Sequence, residues 1–449
     1  MLWTRRDWLK LTAAGLAGQS LSGWLPALAD EARKADGRKR SCILLWMPGG
    51  PSQIDTFDPK PDHPNGGEFK AIETSVPGIR LAEHLPQLAR QMEHVAVVSS
   101  MQTKEGDHQR AAYHLRTGYR PTGPVQYPAI GSLVSHELAD ANVDLPGFVS
   151  ILPPPVFGRI AYGPGFLGPS RAPLIVGGES PAPNAIASSN SSAPFGPPLT
   201  VQDITLPEHV PLPQAETRLG LLGRLEEQFS AVRPGTATSS HREAYRQAVR
   251  MMRSPAIEAF ELEQEPDALR TRYGKSRFGQ ACLLARRLVE QGVPFIEISL
   301  SGVAGQQAFG WDTHGNNFAA VKSFCEVLDP AWATLISDLK ERGLLDTTLI
   351  VWMGEFGRTP RINGSGGRDH YPNAWSTVLC GGGIRGGQVY GATSADGQTV
   401  EKSPVSVAQI FATVCRALQI DHRKQNMSNV GRPIRIVEPE ADAIQELLA

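Results

Sequence analysis

Apolar residues along this chain gather in short unbroken runs, with stretches of helical spacing between them. Ser41–Met47 (SCILLWM), Val95–Ser99, Val293–Leu300, Thr348–Met353 and Trp375–Cys380 have the length and the β-branched or aromatic character of buried strands. Between them the pattern predicts a short amphipathic helix over Leu81–Met92. A second helix (AAYHLRT) follows Gly106–Arg110 and is closed by Gly118 as C-cap. Residues 216–290 read as mostly helical, and Phe318–Arg342 and Ser406–Leu418 are further helices. Helices alternating with buried strands imply an α/β fold, with a mostly parallel sheet sandwiched between helices. Residues 121–215 are rich in Pro, Gly and Ser, so loops with a few short strands are expected there. The most irregular part is an insertion at about 150–215. The chain carries no internal repeat.

Chemistry-bearing residues collect where these runs stop. The first strand passes into Pro48-Gly49-Gly50-Pro51-Ser52-Gln53-Ile54-Asp55-Thr56-Phe57-Asp58, a glycine turn with two acids. The 348–353 run stops at Glu355. A Gly- and Arg-rich loop then leads through Arg358 to Asp369 and His370. Trp311-Asp312-Thr313-His314-Gly315 follows the 293–300 strand. In open α/β sheets ligands sit outside the carboxyl ends of strands. Acids and imidazoles delivered there by glycine-rich loops are the parts of a metal-assisted hydrolytic site. Asp312 and His314, His370 and Glu355 are expected metal ligands. Asp55 is the expected first ligand, although an Asp in a turn equally well binds local backbone N–H groups. His108 stands where the second helix begins and is open to three roles: nucleophile, ligand, or hydrogen-bonder at the helix start. Arg110 and Arg358 are candidate clamps for a developing oxyanion.

The N-terminus changes where this chemistry is expected to happen. Thr4-Arg5-Arg6-Asp7-Trp8-Leu9-Lys10, an apolar segment Leu11–Leu28, and a small-residue site at Ala27-Leu28-Ala29 form a twin-arginine signal. The expectation is a signal over 1–29, a linker over 30–40 and one domain over 41–449. The Tat export machinery would then deliver the protein to the periplasm or beyond. No other stretch has the apolar length of a membrane span. With 41% hydrophobic residues, 20% charged residues and a formal net charge of −1, nothing points to a nucleic-acid surface. Five cysteines show no metal-knuckle spacing, and their apolar contexts suit buried thiols.

Six segments carry a resemblance to a known family: LLWMPGGPSQIDTFDPKP, GEFKAIETSVPGI, HLPQLARQMEHVAVVSSM, DHQRAAYHLRTGYRP, GWDTHGNNF and MGEFGRTPRINGSGGRDHYPNAWSTVLCGGG. Spread over nearly all of the chain after the signal, they resemble the domain of unknown function 1501 family, within the alkaline phosphatase/sulfatase-like superfamily. The resemblance implies an alkaline phosphatase-like core. It also implies that Asp55 (with Asp58 as a substitute) matches the acidic ligand after the first strand. Asp312 and His314 match a phosphatase-type acid-and-histidine pair, and His370 the final metal-binding histidine. Where sulfatases of the superfamily place a nucleophile, near residues 106–108, this chain has no Cys, Ser or Thr. Glu355-Phe356 stands where the superfamily has Asp-His.

The ligand types suit a divalent metal such as Zn, Mn or Ca. The reading is therefore a metal-dependent hydrolase of phosphate or sulfate esters using activated water. Its substrate would be an anionic small molecule or a glycan ester. The alternative is a non-catalytic relative of the hydrolase fold that binds polysaccharide or a cell-surface partner.

Overall fold

All five expected strands form, side by side, within one eight-stranded sheet. In the computed structural model they are β1 (Ser41–Trp46), β2 (Val95–Met101), β5 (Phe295–Ser299), β6 (Thr348–Met353) and β7 (Trp375–Gly381). Three shorter strands complete it: β3 (Phe148–Ile151), β4 (Leu174–Val176) and β8 (Gln388–Tyr390). The structure describes residues 39–449 apart from 122, 141–142, 155–158, 178–198, 202–203, 205, 207–208, 234–235 and 304–309. The expected export signal lies outside the described residues.

The sheet order is β8-β2-β7-β6-β1-β5-β3-β4. β1 runs parallel to both β5 and β6, with Trp46 in register with Ser299 and Met353. β3 and β4 extend that parallel set beyond β5. Only β7 runs the other way, antiparallel to β6 and to β2. This single reversal matters. The segment that enters β7 starts at the same edge of the sheet at which β1, β2, β5 and β6 end, so loops from five strands meet there.

Alternation along each strand feeds two apolar cores, one per face. Ile43, Leu45, Ile296, Ile298, Ile350 and Trp352 pack on one side, with α5 (Arg277–Glu290) and α6 (Asn317–Glu341). Cys42, Leu44, Trp46, Leu349, Val351 and Met353 pack on the other, with α1 (His108–Thr117), α2 (Ile130–Leu138) and α7 (Val407–Ala417). The expected α/β class, with a mostly parallel sheet between helices, is what the structure shows. The helical stretch before α5 comprises α3 (Leu212–Val232) and α4 (Thr236–Arg253).

Helix ends follow their sequence signals. Asp107 caps α1 by accepting the Arg110 backbone N–H at 3.1 Å, and Gly118 closes it at φ 76°. A Ser406/Gln409 capping box starts α7. One helix is shorter than its pattern suggests. Over Leu81–Met92 the only α-helical turn is Pro86–Ala89, preceded by a short strand, Arg80–Ala82. Pro86 lacks a backbone N–H and sets the helix start, and the Asp329 carboxylate takes the next two backbone donors, of Gln87 and Leu88. Between β3 and α3, β4 adds to the sheet edge and the other described parts are loops and single 3₁₀ turns. All five cysteines are buried free thiols, as expected.

Candidate metal centre

At the carboxyl edge of the sheet, Asp312 sits among three imidazoles. It arrives on the loop after β5, and one of its oxygens, Oδ1, lies 3.1 Å from His314 Nε2 and 3.4 Å from His370 Nε2. Its other oxygen lies 3.3 Å from His108 Nε2. The Nε2 atoms of His314 and His370 are themselves 3.0 Å apart. His108 is the first residue of α1, which follows the end of β2 after a six-residue connection. His370 comes in on a two-residue antiparallel ladder, pairing with Arg358, just before β7.

The far nitrogen of each ring faces an atom that can only accept. His314 Nδ1 lies 2.8 Å from Asp369 Oδ1, His370 Nδ1 2.8 Å from the Gly106 carbonyl, and His108 Nδ1 2.7 Å from Glu355 Oε1. Each Nε2 faces the Asp312 carboxylate, also an acceptor, so that side needs positive charge: a second ring proton, or a cation toward which Nε2 turns its lone pair while Nδ1 keeps the N–H. Two such lone pairs cannot stand 3.0 Å apart unless a proton or a cation lies between them. An outer carboxylate or carbonyl holding the Nδ1–H of a ligating imidazole is the usual support of a metal site.

The spacings also suit an ion. Donors about 2.0–2.2 Å from a common centre stand roughly 3.3–3.6 Å apart at tetrahedral angles and roughly 2.8–3.1 Å apart at right angles. The observed separations run from 3.0 to 3.4 Å. Among the described residues, His108, Asp312 and His370 form the group able to hold a metal ion, and His314 adjoins it at the more exposed mouth. Carboxylate with imidazole suits Zn²⁺, Mn²⁺ or iron. The carboxylates call for positive charge at this point, carried by a ring proton or by a bound ion. Burial works against the His108 cation, but Asp312 and Glu355 outweigh it and push the imidazole up to about 9. Burial likewise opposes the Asp312 anion, yet hydrogen bonds from His108, His370 and Arg358 hold the carboxyl well below the usual carboxylate range.

The remaining expected site residues lie elsewhere. Asp55 is fully buried and receives Arg368 Nε at 2.7 Å, Arg368 Nη2 at 3.0 Å and Asn317 Nδ2 at 2.8 Å. Its oxygens are taken up by an ion pair, so the structure does not bring it into the cluster. Asp58 accepts from Lys60 and Thr393 instead. Glu355 stands behind His108: Oε1 accepts from His108 and from the Gly49 backbone N–H at 2.7 Å. Arg358 touches Asp312, but its other donors go to the carbonyls of Gly49, Gly50 and Arg368, which ties the two strand-end loops together. Arg110 points to the surface, where Nε and Nη2 hold Glu105 at 2.7 and 3.1 Å. Neither arginine is placed as an open anion clamp.

Sequence reasoning passed over Arg368 and Asn317. Arg368 also donates to the carbonyls of Thr359, Pro360 and Asn65. It thereby fixes the loop carrying Asp369 and His370. Its position beside Asp369-His370 was the available signal, but nothing in the chain announces its partner 313 positions away.

The model of a family described as protein of unknown function (DUF1501) matches residues 39–448. No curated protein matches the chain. Among solved structures it is similar to the PsFucS1 sulfatase from Pseudoalteromonas sp., at 15% identity over 87% of this chain and 70% of that one, TM-score 0.38. It is similar also to the phosphonate monoester hydrolase of Agrobacterium radiobacter (12% identity, 91% and 77% covered, TM-score 0.36). A third is the alkaline phosphatase of the Antarctic bacterium TAB5 (10%, 86% and 99%, 0.34). Similarity at this level assigns neither substrate nor residue roles.

Proposed function

We propose, on the premise that the chain belongs to the DUF1501 family, that it is an exported, metal-dependent hydrolase of phosphate or sulfate esters with an alkaline phosphatase-like core. One observation carries the reading: three imidazoles, each with Nδ1 anchored on an acceptor, turn their Nε2 atoms toward the Asp312 carboxylate. A divalent ion held there by Asp312, His314 and His370 would polarise an ester oxygen and lower the pKa of water from 15.7 to roughly 7. That chemistry replaces the hydroxyl or thiol nucleophile missing from residues 106–108.

The chain's own residues do the rest. Arg358 fixes Asp312 and ties it to the Gly49-Gly50 turn. Glu355 holds the His108 ring with its Nε2 inward, available as a ligand to an ion that displaces its proton. The Asp55–Arg368 pair pins the loop that delivers His370. His314 is about half exposed while Glu355 is fully buried, so a substrate would approach past His314 with Glu355 at the floor. An anionic small molecule or a glycan ester suits an exported enzyme. The twin-arginine segment supports Tat export to the periplasm or outside the cell. Among the described residues no helix is long and apolar enough to cross a membrane.

A second reading rests on a specific observation: Arg110 and Arg358 are both committed to other partners. A site with no open guanidinium at those two positions and no hydroxyl nucleophile at 106–108 also suits a non-catalytic protein that binds polysaccharide or a cell-surface partner. Turnover separates them. Purified protein should hydrolyse aryl phosphates or aryl sulfates, lose that activity on chelation, and regain it with Zn²⁺ or Mn²⁺. Asp312→Ala and His370→Ala should reduce it to background. Metal-loaded protein that turns over neither class, yet retains glycan affinity, would establish the second reading.

A further inference from the structure

We propose that the protein dimerises through α3, whose outward apolar stripe seats on the same stripe of a second copy of this chain.

Exposed apolar side chains collect on this helix. Of the twelve large apolar residues that stand open to solvent among the described residues, five belong to α3. Four of them, Leu221, Leu225, Phe229 and Val232, recur at intervals of four, four and three. At 3.6 residues per turn they fall within roughly 80° of one another, in a stripe about 16 Å long. Each is at least half exposed, and Val232 reaches 80%.

Little in the chain itself supports α3. Of its 21 residues only Ala215 is buried, whereas α5, with 14 residues, buries eleven. Helices in folded proteins draw most of their stability from packing an apolar face rather than from propensity. A contiguous apolar patch left in water marks an interaction surface.

Charge selects the occupant. Arg224 and Glu226 flank the stripe on opposite sides, each roughly 100° from its centre line. The ion pairs on α3 and α4, Arg253–Glu216 and Arg250–Glu243, leave both of them uncommitted among the described residues. Rotating a second α3 by a half-turn about an axis along the helices lays stripe on stripe. Each Arg224 then stands beside the second copy's Glu226. The surface is complementary to itself, as a twofold contact requires. A lipid surface fits less well, because from Glu216 to Arg233 three arginines balance three glutamates and give no net attraction to anionic headgroups. A four-residue stripe falls short of the roughly 800 Å² per partner of a standard interface, so a micromolar rather than a nanomolar dissociation constant is expected.

Analytical ultracentrifugation of the purified full-length protein, from about 1 to 100 µM, tests this. The expected result is a monomer–dimer equilibrium. Leu225→Glu and Phe229→Glu should each raise the dissociation constant by more than about tenfold. Arg224→Glu and Glu226→Arg should each raise it by about threefold or more. The double variant should return to within about twofold of the wild type, since the swap restores both pairs. Circular dichroism confirms that the variants fold. A protein that stays monomeric throughout, or a dimer that Leu225→Glu leaves intact, overturns the proposal. So does a double variant no tighter than either single one. A monomer that needs Leu225 and Phe229 to bind vesicles of anionic phospholipid overturns it in favour of a membrane surface.

Discussion

What a side chain does here is decided by what has already claimed its atoms. Asp55 and Asp312 both sit in loops after sheet strands, yet Asp55 is enclosed by a guanidinium and Asp312 faces three imidazoles. The two should respond differently to the same change. Asp55→Asn leaves Arg368 buried and uncompensated, a loss of about 3–5 kcal/mol in denaturant unfolding. The half-exposed His314 should show less than about 1 kcal/mol on mutation to Ala, with its penalty appearing in metal affinity. Residue types were legible: the acids and imidazoles at the strand ends stood out as chemistry. Occupancy was not, because a carboxylate looks the same in sequence whether its oxygens are open or committed. Arg110 shows this well. It sits in the first turn of α1, and only the structure reveals that Glu105 holds it at the surface.

At the scale of elements, the site depends on two loops touching. Gly367, in the loop before β7, lies so close to the chain at His314 that a Cβ added to it would come within 2.1 Å of the His314 carbonyl carbon. Backbone cannot yield there without separating the loops that carry His314 and His370. Gly367→Ala should therefore weaken metal binding at least tenfold in a titration, while far-ultraviolet circular dichroism stays native. Retained affinity would show that the loops adjust freely. The five central strands could be read from apolar runs of five to eight residues. Their order and the reversal of β7 could not, since pairing partners lie far apart in sequence and a strand carries no mark of its direction. That reversal is what brings His370 to the edge where the other strands end. The short helix at Pro86–Ala89 failed for a related reason: its carboxylate cap, Asp329, comes from α6.

Across the whole molecule, the sheet separates two apolar cores and leaves polar chemistry at one edge. Burial within the second core has its own consequence. His114, on the buried face of α1, has its pKa lowered to about 4 by burial, with Arg120 adding repulsion. The unfolded chain takes up that proton near 6.5 and the folded chain only near 4. Between those values the unfolded state binds more protons, and stability falls as pH falls, by roughly 3 kcal/mol at most. Denaturant unfolding of the metal-free protein should show this loss between pH 6.5 and 4, and His114→Gln should flatten it. The central claim concerns the other end of α1, where loops from five strands converge on one point. Anomalous diffraction at the absorption edge of zinc or manganese, from crystals soaked in that metal, tests it most directly. The account predicts a peak lying between Asp312 and the Nε2 atoms of His108, His314 and His370. A peak beside Asp55, or soaked crystals with no peak among those three rings, would contradict it.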